Sequence, residues 1–231
     1  MTLKAVFFDV GGTLIFPNPE RIGATFAQTG SALPTERWLE AVHRASASLD
    51  AQLEAGKRMG DDWWQVYFGL VVSHATGRPA HEWSGFKTFL KQLKDDHVAH
   101  NLWDSVAPGA PETVERLQMA GFSLGVISNS DGRVRYQLQQ AKLAERFSFI
   151  IDSYEVGCDK PDAKIFHLGL KHAGLKPQQV LYVGDFVEID HRGATGVGME
   201  AVIIDPLRLR RHLDGVRFID SISQLPSLLD L

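Results

Sequence analysis

The residue with the clearest chemical potential is Asp9, which stands where an apolar run breaks into two glycines. The run Ala5–Phe8 has the length and the β-rich composition of a buried strand. Gly11 and Gly12 follow almost at once, and glycines let a backbone turn sharply and approach a ligand closely. We therefore expect Asp9 at the carboxyl end of a strand, the edge where open α/β sheets bind ligands.

Three later motifs complete the set of side chains that phosphoryl transfer to a carboxylate requires. They are Ser128-Asn129, Lys160-Pro161-Asp162, and Gly184-Asp185 followed by Asp190. Asp9 is the predicted nucleophile, forming an aspartyl phosphate, and Asp9 and Asp185 are the predicted ligands of Mg²⁺, which prefers oxygen ligands. Ser128 and the backbone amides after it would hydrogen-bond the phosphoryl oxygens, while Lys160 would neutralise their charge. Asp190 would hold a metal-bound water or orient Lys160.

The elements that must position these residues follow from the alternation of apolar patterns after residue 106. The patterns predict strands over residues 122–127, 147–151, 180–183 and 200–204, and helices over 112–120, 134–141, 162–173 and 191–197. Strands that alternate with helices are typical of βαβ units, in which a parallel sheet is covered by helices on both faces. The motifs then lie at strand ends or in the loops that follow them.

Residues 17–104 have a different character. Helices are predicted over 20–29, 35–55, 61–74 and 80–93, and strand patterns are absent. We interpret this stretch as a helical module inserted between the first two strands of the sheet, above the edge that carries Asp9. The predicted organisation is therefore a catalytic core of residues 1–16 and 105–231 and a cap domain of residues 17–104. Four tryptophans in the insert are interpreted as its own core: Trp38, Trp63, Trp64 and Trp83.

Composition narrows the classes of function and partner. The formal net charge is −4, and without a basic stripe between aromatic residues the sequence indicates against nucleic-acid binding. Cys158 is the single cysteine, which excludes an internal disulfide and favours a reducing, cytoplasmic location. No apolar run approaches the roughly 18 residues of a membrane span. The sequence permits a monomer or a homodimer.

Taken in order, the motifs resemble those of the haloacid dehalogenase (HAD) superfamily, in the branch with a helical cap between the first and second motifs. The matching patterns are Asp-x-x-Gly-Thr-Leu at 9–14, Ser-Asn at 128–129, Lys-Pro-Asp-x-x-Ile-Phe at 160–166 and Gly-Asp-x-x-x-x-Asp at 184–190. The resemblance implies an α/β, Rossmann-like parallel sheet whose first and fourth core strands are neighbours, with an inserted all-helical cap. It also implies a Mg²⁺-dependent phosphatase acting on a small phosphorylated molecule. Gly12, Thr13 and Asn129 would then contact the substrate, and the backbone carbonyl of Gly11 would ligate the metal.

Gly11 departs from this pattern, because phosphatases of the family usually carry a second Asp there. In the family that side chain protonates the leaving group and later activates water, and a positioned general acid/base contributes about 10²–10⁴-fold in rate. We therefore expect slow reaction with alkyl phosphates and a smaller penalty for acyl or aryl phosphates, whose leaving groups need no proton. Candidates to replace the missing group are Glu20, Glu54, His74 and His81 in the insert and His191 near Asp190.

Gly11 also leaves alternatives open. A pseudoenzyme would use the same groups to bind Mg²⁺ and an anion without turnover. A haloacid dehalogenase also lacks the second Asp, but it lacks a metal-binding acid as well, whereas Asp185 is present here. A phosphonatase-type hydrolase would need a Schiff-base lysine in the insert, for which Lys57 is a candidate that the sequence does not distinguish from a surface lysine. Sugar kinases and actin-like ATPases share Asp-x-Gly-Gly-Thr, but Lys160 and Asp190 have no role in that fold.

Overall fold

In a computed structural model the chain is described over residues 2–58, 60 and 62–231. It divides into two compact units: unit 1 comprises Met1–Phe16 and Val106–Leu231, and unit 2 comprises Pro17–Ser105. The insert predicted at residues 17–104 differs from unit 2 by one residue at its end.

The described strands and helices follow one another in the order expected for an α/β sheet interrupted by helices. The strands are β1 Ala5–Phe8, β2 Ile15–Pro17, β3 Trp103–Val106, β4 Ser123–Ser128, β5 Phe149–Asp152, β6 Val180–Gly184, β7 Glu200–Ile204 and β8 Arg217–Ile219. The helices are α1 Pro19–Ala27, α2 Thr35–Glu54, α3 Trp63–Thr76, α4 Phe86–His100, α5 Ala110–Met119, α6 Val134–Gln140, α7 Ser153–Val156, α8 Ala163–Ala173, α9 Arg192–Gly196 and α10 Leu225–Leu228.

A six-stranded parallel sheet forms the centre of unit 1. Its strand order is β5-β4-β1-β6-β7-β8, and every neighbouring pair runs parallel. β1 lies between β4 and β6, with Phe8 opposite Val126 on one side and Val183 on the other. This confirms the predicted α/β fold, including the neighbouring first and fourth core strands, and it brings three strand ends to one edge.

Burial on both faces explains why these strands are continuously apolar. All four residues of β1 are fully buried, as parallel strands covered by helices require. Helix α8 covers one face through Ile165 and Phe166, which pack into the same buried cluster as Phe7. The helix begins after Asp162, whose side chain accepts a hydrogen bond from the Lys164 amide, and it ends at Gly174 with φ 65°.

The structure corrects several predicted element boundaries. The helix expected over 80–93 is a 3₁₀ turn, Ala80–Glu82, followed by α4 from Phe86, because the chain turns at the intervening residues 83–85. The helix expected over 61–74 is observed as α3, and residue 61 lies outside the described residues. The helix predicted over 191–197 is observed as α9, Arg192–Gly196, and a π-helical turn, Val187–His191, precedes it.

The sequence did not predict three short strands. β2 and β3 pair with each other in a separate two-stranded sheet, so the ends of the insert are extended whereas the rest is helical as predicted. β8 adds the edge strand of the large sheet. Runs of three or four residues are too short for an alternating pattern to distinguish them from loops.

Unit 2 has an aromatic interior of its own. Trp38 is fully buried, and Phe26 contacts both Trp38 and Trp83, with ring centroids 5.0 and 4.5 Å apart. Trp64 packs on Phe68 at 4.5 Å. Within the described residues no helix combines the length and the apolar composition that a membrane crossing requires.

Candidate active site

Asp9 follows β1 directly and lies at the carboxyl edge of the sheet. Its backbone amide donates to the carbonyl of Val183, 2.9 Å away, which ties it to the end of β6. Its side chain is 8% exposed, and its Oδ1 accepts hydrogen bonds from Ser128 Oγ at 2.8 Å and from Lys160 Nζ at 2.7 Å. One carboxylate oxygen thus meets a hydroxyl and an ammonium from two other motifs.

The Lys160 ammonium donates hydrogen bonds to three acceptors. Besides Asp9, it donates to Asp190 Oδ1 at 2.6 Å and to Tyr182 Oη at 3.0 Å. An ammonium has three protons, and these three contacts use all of them. Lys160 therefore acts here as a fixed positive charge between two carboxylates.

Two other residues hold the Lys160 segment in place. Asn129 Nδ2 donates to the Lys160 carbonyl at 2.9 Å, and the Lys160 amide donates to Asn129 Oδ1 at 2.7 Å. The Tyr182 hydroxyl donates to the Ile127 carbonyl at 2.8 Å while it accepts from the ammonium. In this structure the predicted substrate contact Asn129 therefore holds the Lys160 backbone.

The loop after β4 is fixed by polar residues at the end of β5 and directly after it. Asp152, the last residue of β5, accepts from the amide of Tyr154 at 3.0 Å and so caps α7. It also accepts from the amide of Val134, the first residue of α6, at 3.2 Å. Ser153 Oγ accepts from the Ser130 amide at 3.2 Å. These contacts hold the segment that presents Ser128 and Asn129.

Asp185 and Asp190 occupy the loop after β6 and have different surroundings. Asp190 Oδ2 accepts from the amides of Asp185 and Phe186 at 3.1 and 2.9 Å, and its Oδ1 pairs with Lys160. The Asp185 carboxylate is buried, and its Oδ1 has no hydrogen-bond partner among the residues that the structure describes. Asp9, Asp185 and Asp190 each place one carboxylate oxygen within 4.8 Å of the others, a donor set that could hold a divalent cation.

Gly12 makes room for the Asp185 carboxylate. Its φ is +82°, and a Cβ at this position would stand 2.3 Å from Asp185 Oδ2. Thr13, the next residue, is fully buried, and its Oγ1 has no hydrogen-bond partner. Gly11 is half-buried and bridges to Ile15, so the loop after Asp9 supplies backbone groups rather than an acidic side chain.

Burial and mutual charge perturb the acids and the lysine. Burial raises the pKa of Asp9 above its ordinary value, although the charge and hydrogen bond of Lys160 oppose this. Burial, with the charges of Asp190 and Asp9, raises the pKa of Asp185 well above its ordinary value. Burial acts to lower the pKa of Lys160, but the charges of Asp190 and Asp9 outweigh it and raise that pKa. Lys160 therefore stays protonated and is unsuited to act as a base.

The remaining sequence candidates lie elsewhere or have other contacts. His191 has a half-buried ring whose pKa is lowered by burial and by Arg192. Glu20, Glu54, His74, His81 and Lys57 belong to unit 2, where His74 Nε2 lies 2.9 Å from Ser48 Oγ and Lys57 donates to Gln52. Cys158 packs against the core cluster of the sheet, which fits an incidental thiol.

Tyr182 and Arg210 are site residues that the sequence reasoning missed. Tyr182 lies inside an apolar strand, and the signal available was that a fully buried phenol needs a hydrogen-bond partner. Arg210 is 6% exposed and donates through Nη1 to the Asp185 carbonyl. Its only sequence signal was an acid at the end of β7, Asp205, followed closely by arginines.

Comparison with known proteins places this arrangement in a family. The chain is 36% identical over 213 residues to haloacid dehalogenase-like hydrolase domain-containing protein 3 of Xenopus laevis, covering 89% of this chain and 86% of the relative. Matches to two mammalian proteins of that name, from cattle and mouse, span 67% and 57% of their length. A glyceraldehyde 3-phosphate phosphatase of Methanothermobacter thermautotrophicus is 32% identical over 98% of this chain and 100% of the relative.

A solved structure and a family profile agree with these relatives. The HAD phosphatase from Thermococcus onnurineus superposes with a TM-score of 0.63 at 24% identity over 98% of both chains, and solved haloacid dehalogenases share the fold. The profile of haloacid dehalogenase-like hydrolases matches residues 3–198, which include all four motifs. The chain therefore belongs to the haloacid dehalogenase-like hydrolases, as its motifs predicted.

Proposed function

We propose that this hydrolase is a Mg²⁺-dependent phosphatase that acts on a small phosphorylated molecule through an aspartyl phosphate on Asp9. One observation carries the proposal: a single oxygen of Asp9 is held by Ser128 and Lys160 beside the buried, unpaired carboxylate of Asp185. The name of the 32% identical relative, a glyceraldehyde 3-phosphate phosphatase, supports a small phosphorylated substrate. In this proposal unit 1 is the catalytic core and unit 2 is the cap.

Mg²⁺ fits the donors at this edge of the sheet. The unpaired Oδ1 of Asp185 is a buried oxygen without a proton donor, and Gly12 lacks the Cβ that would displace this carboxylate. Asp190 is committed to Lys160 and to two backbone amides, so Asp9, Asp185 and the Gly11 carbonyl would hold the ion. When bound, Mg²⁺ supplies positive charge that offsets both carboxylates and the phosphoryl oxygens.

The reaction would proceed in two displacements at phosphorus. An Asp9 oxygen forms a bond to phosphorus while the bond to the leaving oxygen breaks and its electron pair departs with the leaving group. Water then attacks the aspartyl phosphate, the bond between phosphorus and Asp9 breaks, and orthophosphate and the Asp9 carboxylate are regenerated. Without an acidic side chain at Gly11, the proton that the leaving oxygen needs would come from solvent or another group, and the proton that the attacking water loses would pass to solvent or another group.

In this proposal several groups would bind the phosphoryl oxygens. The Ser128 hydroxyl would turn from Asp9 to the substrate, and Lys160 would contribute its fixed charge. The backbone around Gly12 would approach closely, and the Thr13 hydroxyl is a buried group without a partner. Asn129 would act mainly by fixing the Lys160 segment.

The test is Mg²⁺-dependent phosphate release from acetyl phosphate and p-nitrophenyl phosphate, with Asp9→Asn as the matched variant. This change removes the nucleophilic charge but keeps the shape of the side chain. We expect turnover that requires both Mg²⁺ and Asp9. Asp9-dependent turnover that survives a chelator would instead indicate the metal-free dehalogenase branch, which the Asp185 carboxylate disfavours.

Gly11 favours a second candidate, a binding module that holds Mg²⁺ and an anion without turnover. Calorimetric binding of Mg²⁺ and orthophosphate by a protein that releases no phosphate above background would support it. A cytoplasmic location and a monomeric or dimeric state stay predictions.

A further inference from the structure

Arg210 is a buried arginine in the segment that follows β7, outside the four motifs. Its side chain is 8% exposed, and that of its ion-pair partner Asp205 is 2% exposed. A guanidinium is costly to bury unless charge and hydrogen bonds compensate it. The groups that compensate the buried guanidinium of Arg210 therefore indicate which parts of the fold this residue connects.

The partners of Arg210 come from the ends of two neighbouring strands. Asp205 faces its Nε at 3.5 Å and accepts from its backbone amide at 3.0 Å. Nη2 donates to the Ile204 carbonyl at the end of β7, at 3.0 Å. Nη1 donates to the carbonyl of Asp185, directly after β6. One planar guanidinium thus joins the end of β7 to the loop that carries Asp185.

This contact holds the second backbone group of Asp185. The Asp185 amide already donates to Asp190 Oδ2 at 3.1 Å, and its carbonyl accepts from Arg210. The carboxylate itself has an unpaired Oδ1 and stands against Gly12. The backbone of Asp185 is therefore fixed on both sides, while its side chain stays available.

We infer that Arg210 is a positioning residue for Mg²⁺ binding: it fixes the Asp185 peptide so that the carboxylate stays at the ion site. The inference rests on the proposed Mg²⁺-dependent function. The contacts of Arg210 described above are to Asp205 and to the backbone carbonyls of Ile204 and Asp185, so its effect on the ion would pass through Asp185. Loss of a partner that orients a metal ligand typically costs about 10–100-fold in metal affinity or activity.

The experiment measures Mg²⁺ binding by calorimetry, well below the unfolding temperature, for wild type and Arg210→Met. We expect the Kd for Mg²⁺ to rise by about 10–100-fold in the variant, whereas kcat at saturating Mg²⁺ changes by much less. Arg208→Met is the matched control, because Arg208 lies in the same segment but pairs with the partly exposed Asp220. Its Kd should equal that of wild type.

Arg210→Lys is a second variant, to be measured in case Arg210→Met does not fold. Lysine keeps the charge but lacks the planar fork that reaches Ile204 and Asp185 together, so its Kd should also rise. A wild-type Kd in whichever Arg210 variant is folded would overturn the inference and leave the proposed function intact. A wild-type protein that binds no Mg²⁺ would overturn the metal-dependent function, and the inference with it.

Discussion

At the scale of single residues, the site depends on how three protons of Lys160 are shared. The ammonium donates them to Asp9, Asp190 and Tyr182. Its positive charge therefore offsets part of the free-energy cost of burying two carboxylates. A buried carboxylate beside a fixed positive charge retains more of its anionic form than burial alone allows. In the proposed mechanism, this anionic form of Asp9 attacks phosphorus.

Tyr182→Phe tests this network by removing one hydroxyl. The Ile127 carbonyl would lose its donor and the ammonium one of its three acceptors. Leaving buried polar groups unsatisfied costs about 1–3 kcal/mol, so we expect the free energy of unfolding in denaturant to fall by about that amount. Tyr136→Phe is the control, because Tyr136 is 49% exposed. Equal stability of the two variants would contradict the role given to the Tyr182 hydroxyl.

Gly11 leads to a prediction about the order of the two steps. Nitrophenolate leaves without a proton, whereas breakdown of the aspartyl phosphate requires activated water. With p-nitrophenyl phosphate we therefore expect a rapid burst of about one nitrophenolate per protein molecule, followed by slow turnover. Stopped-flow absorbance measures the burst.

Gly11→Asp provides the comparison for that burst. A carboxylate at residue 11 would act as the missing base and raise steady-state turnover by about 10²-fold, the lower part of the range for a positioned acid/base. The burst should then shrink. A wild-type protein without a burst, at high turnover, would indicate that another group, such as one of the insert candidates, already activates water.

At the scale of elements, the sequence predicted those site residues whose positions follow from the local hydrophobic pattern. Asp9, Ser128 and Asp185 follow apolar runs, and parallel strands bring such ends to one edge of the sheet, so their proximity could be expected. Tyr182 and Arg210 could not be placed in this way, because Tyr182 meets Ile127 and Lys160, and Arg210 meets Asp185, only once the strands lie side by side. Short strands such as β8 were not predicted, because so few residues cannot show a hydrophobic period.

The turn after β1 supports a prediction with a built-in control. Gly12 and Gly174 both have positive φ, +82° and +65°, but only Gly12 faces another group, because the space around Gly174 is empty within 4 Å. Alanine at either residue should cost about 1–2 kcal/mol of stability through backbone strain. Gly12→Ala should in addition displace Asp185 and abolish Mg²⁺-dependent turnover, whereas Gly174→Ala should retain it. Activity assays beside denaturant unfolding separate the two effects, and an active Gly12→Ala protein would contradict the close fit.

At the scale of the whole molecule, we expect the acid cluster to lower the stability of the metal-free protein. Asp9, Asp185 and Asp190 are all buried, and Lys160 directly pairs with only two of them. Burial, with the charges of Asp190 and Asp9, raises the pKa of Asp185 against the opposing charges of Arg210 and Lys160, so we expect its charged form to be disfavoured in the folded state. Binding of a cation to the folded state alone would reverse this and stabilise the protein.

Asp185→Asn should therefore stabilise the metal-free protein and remove its response to Mg²⁺. Because the folded-state pKa of Asp185 lies above the unfolded value, its proton contributes stability at low pH that is lost as pH rises through the folded pKa. In a chelator the variant should exceed wild type in Tm, and the difference should be larger at pH 8 than at pH 5. With Mg²⁺ at 100 times its Kd, the free energy of unfolding of the wild type should rise by about 2.7 kcal/mol. That of the variant should rise by little. A wild-type protein that is more stable than the variant in chelator at pH 8 would show that Asp185 is compensated by other groups.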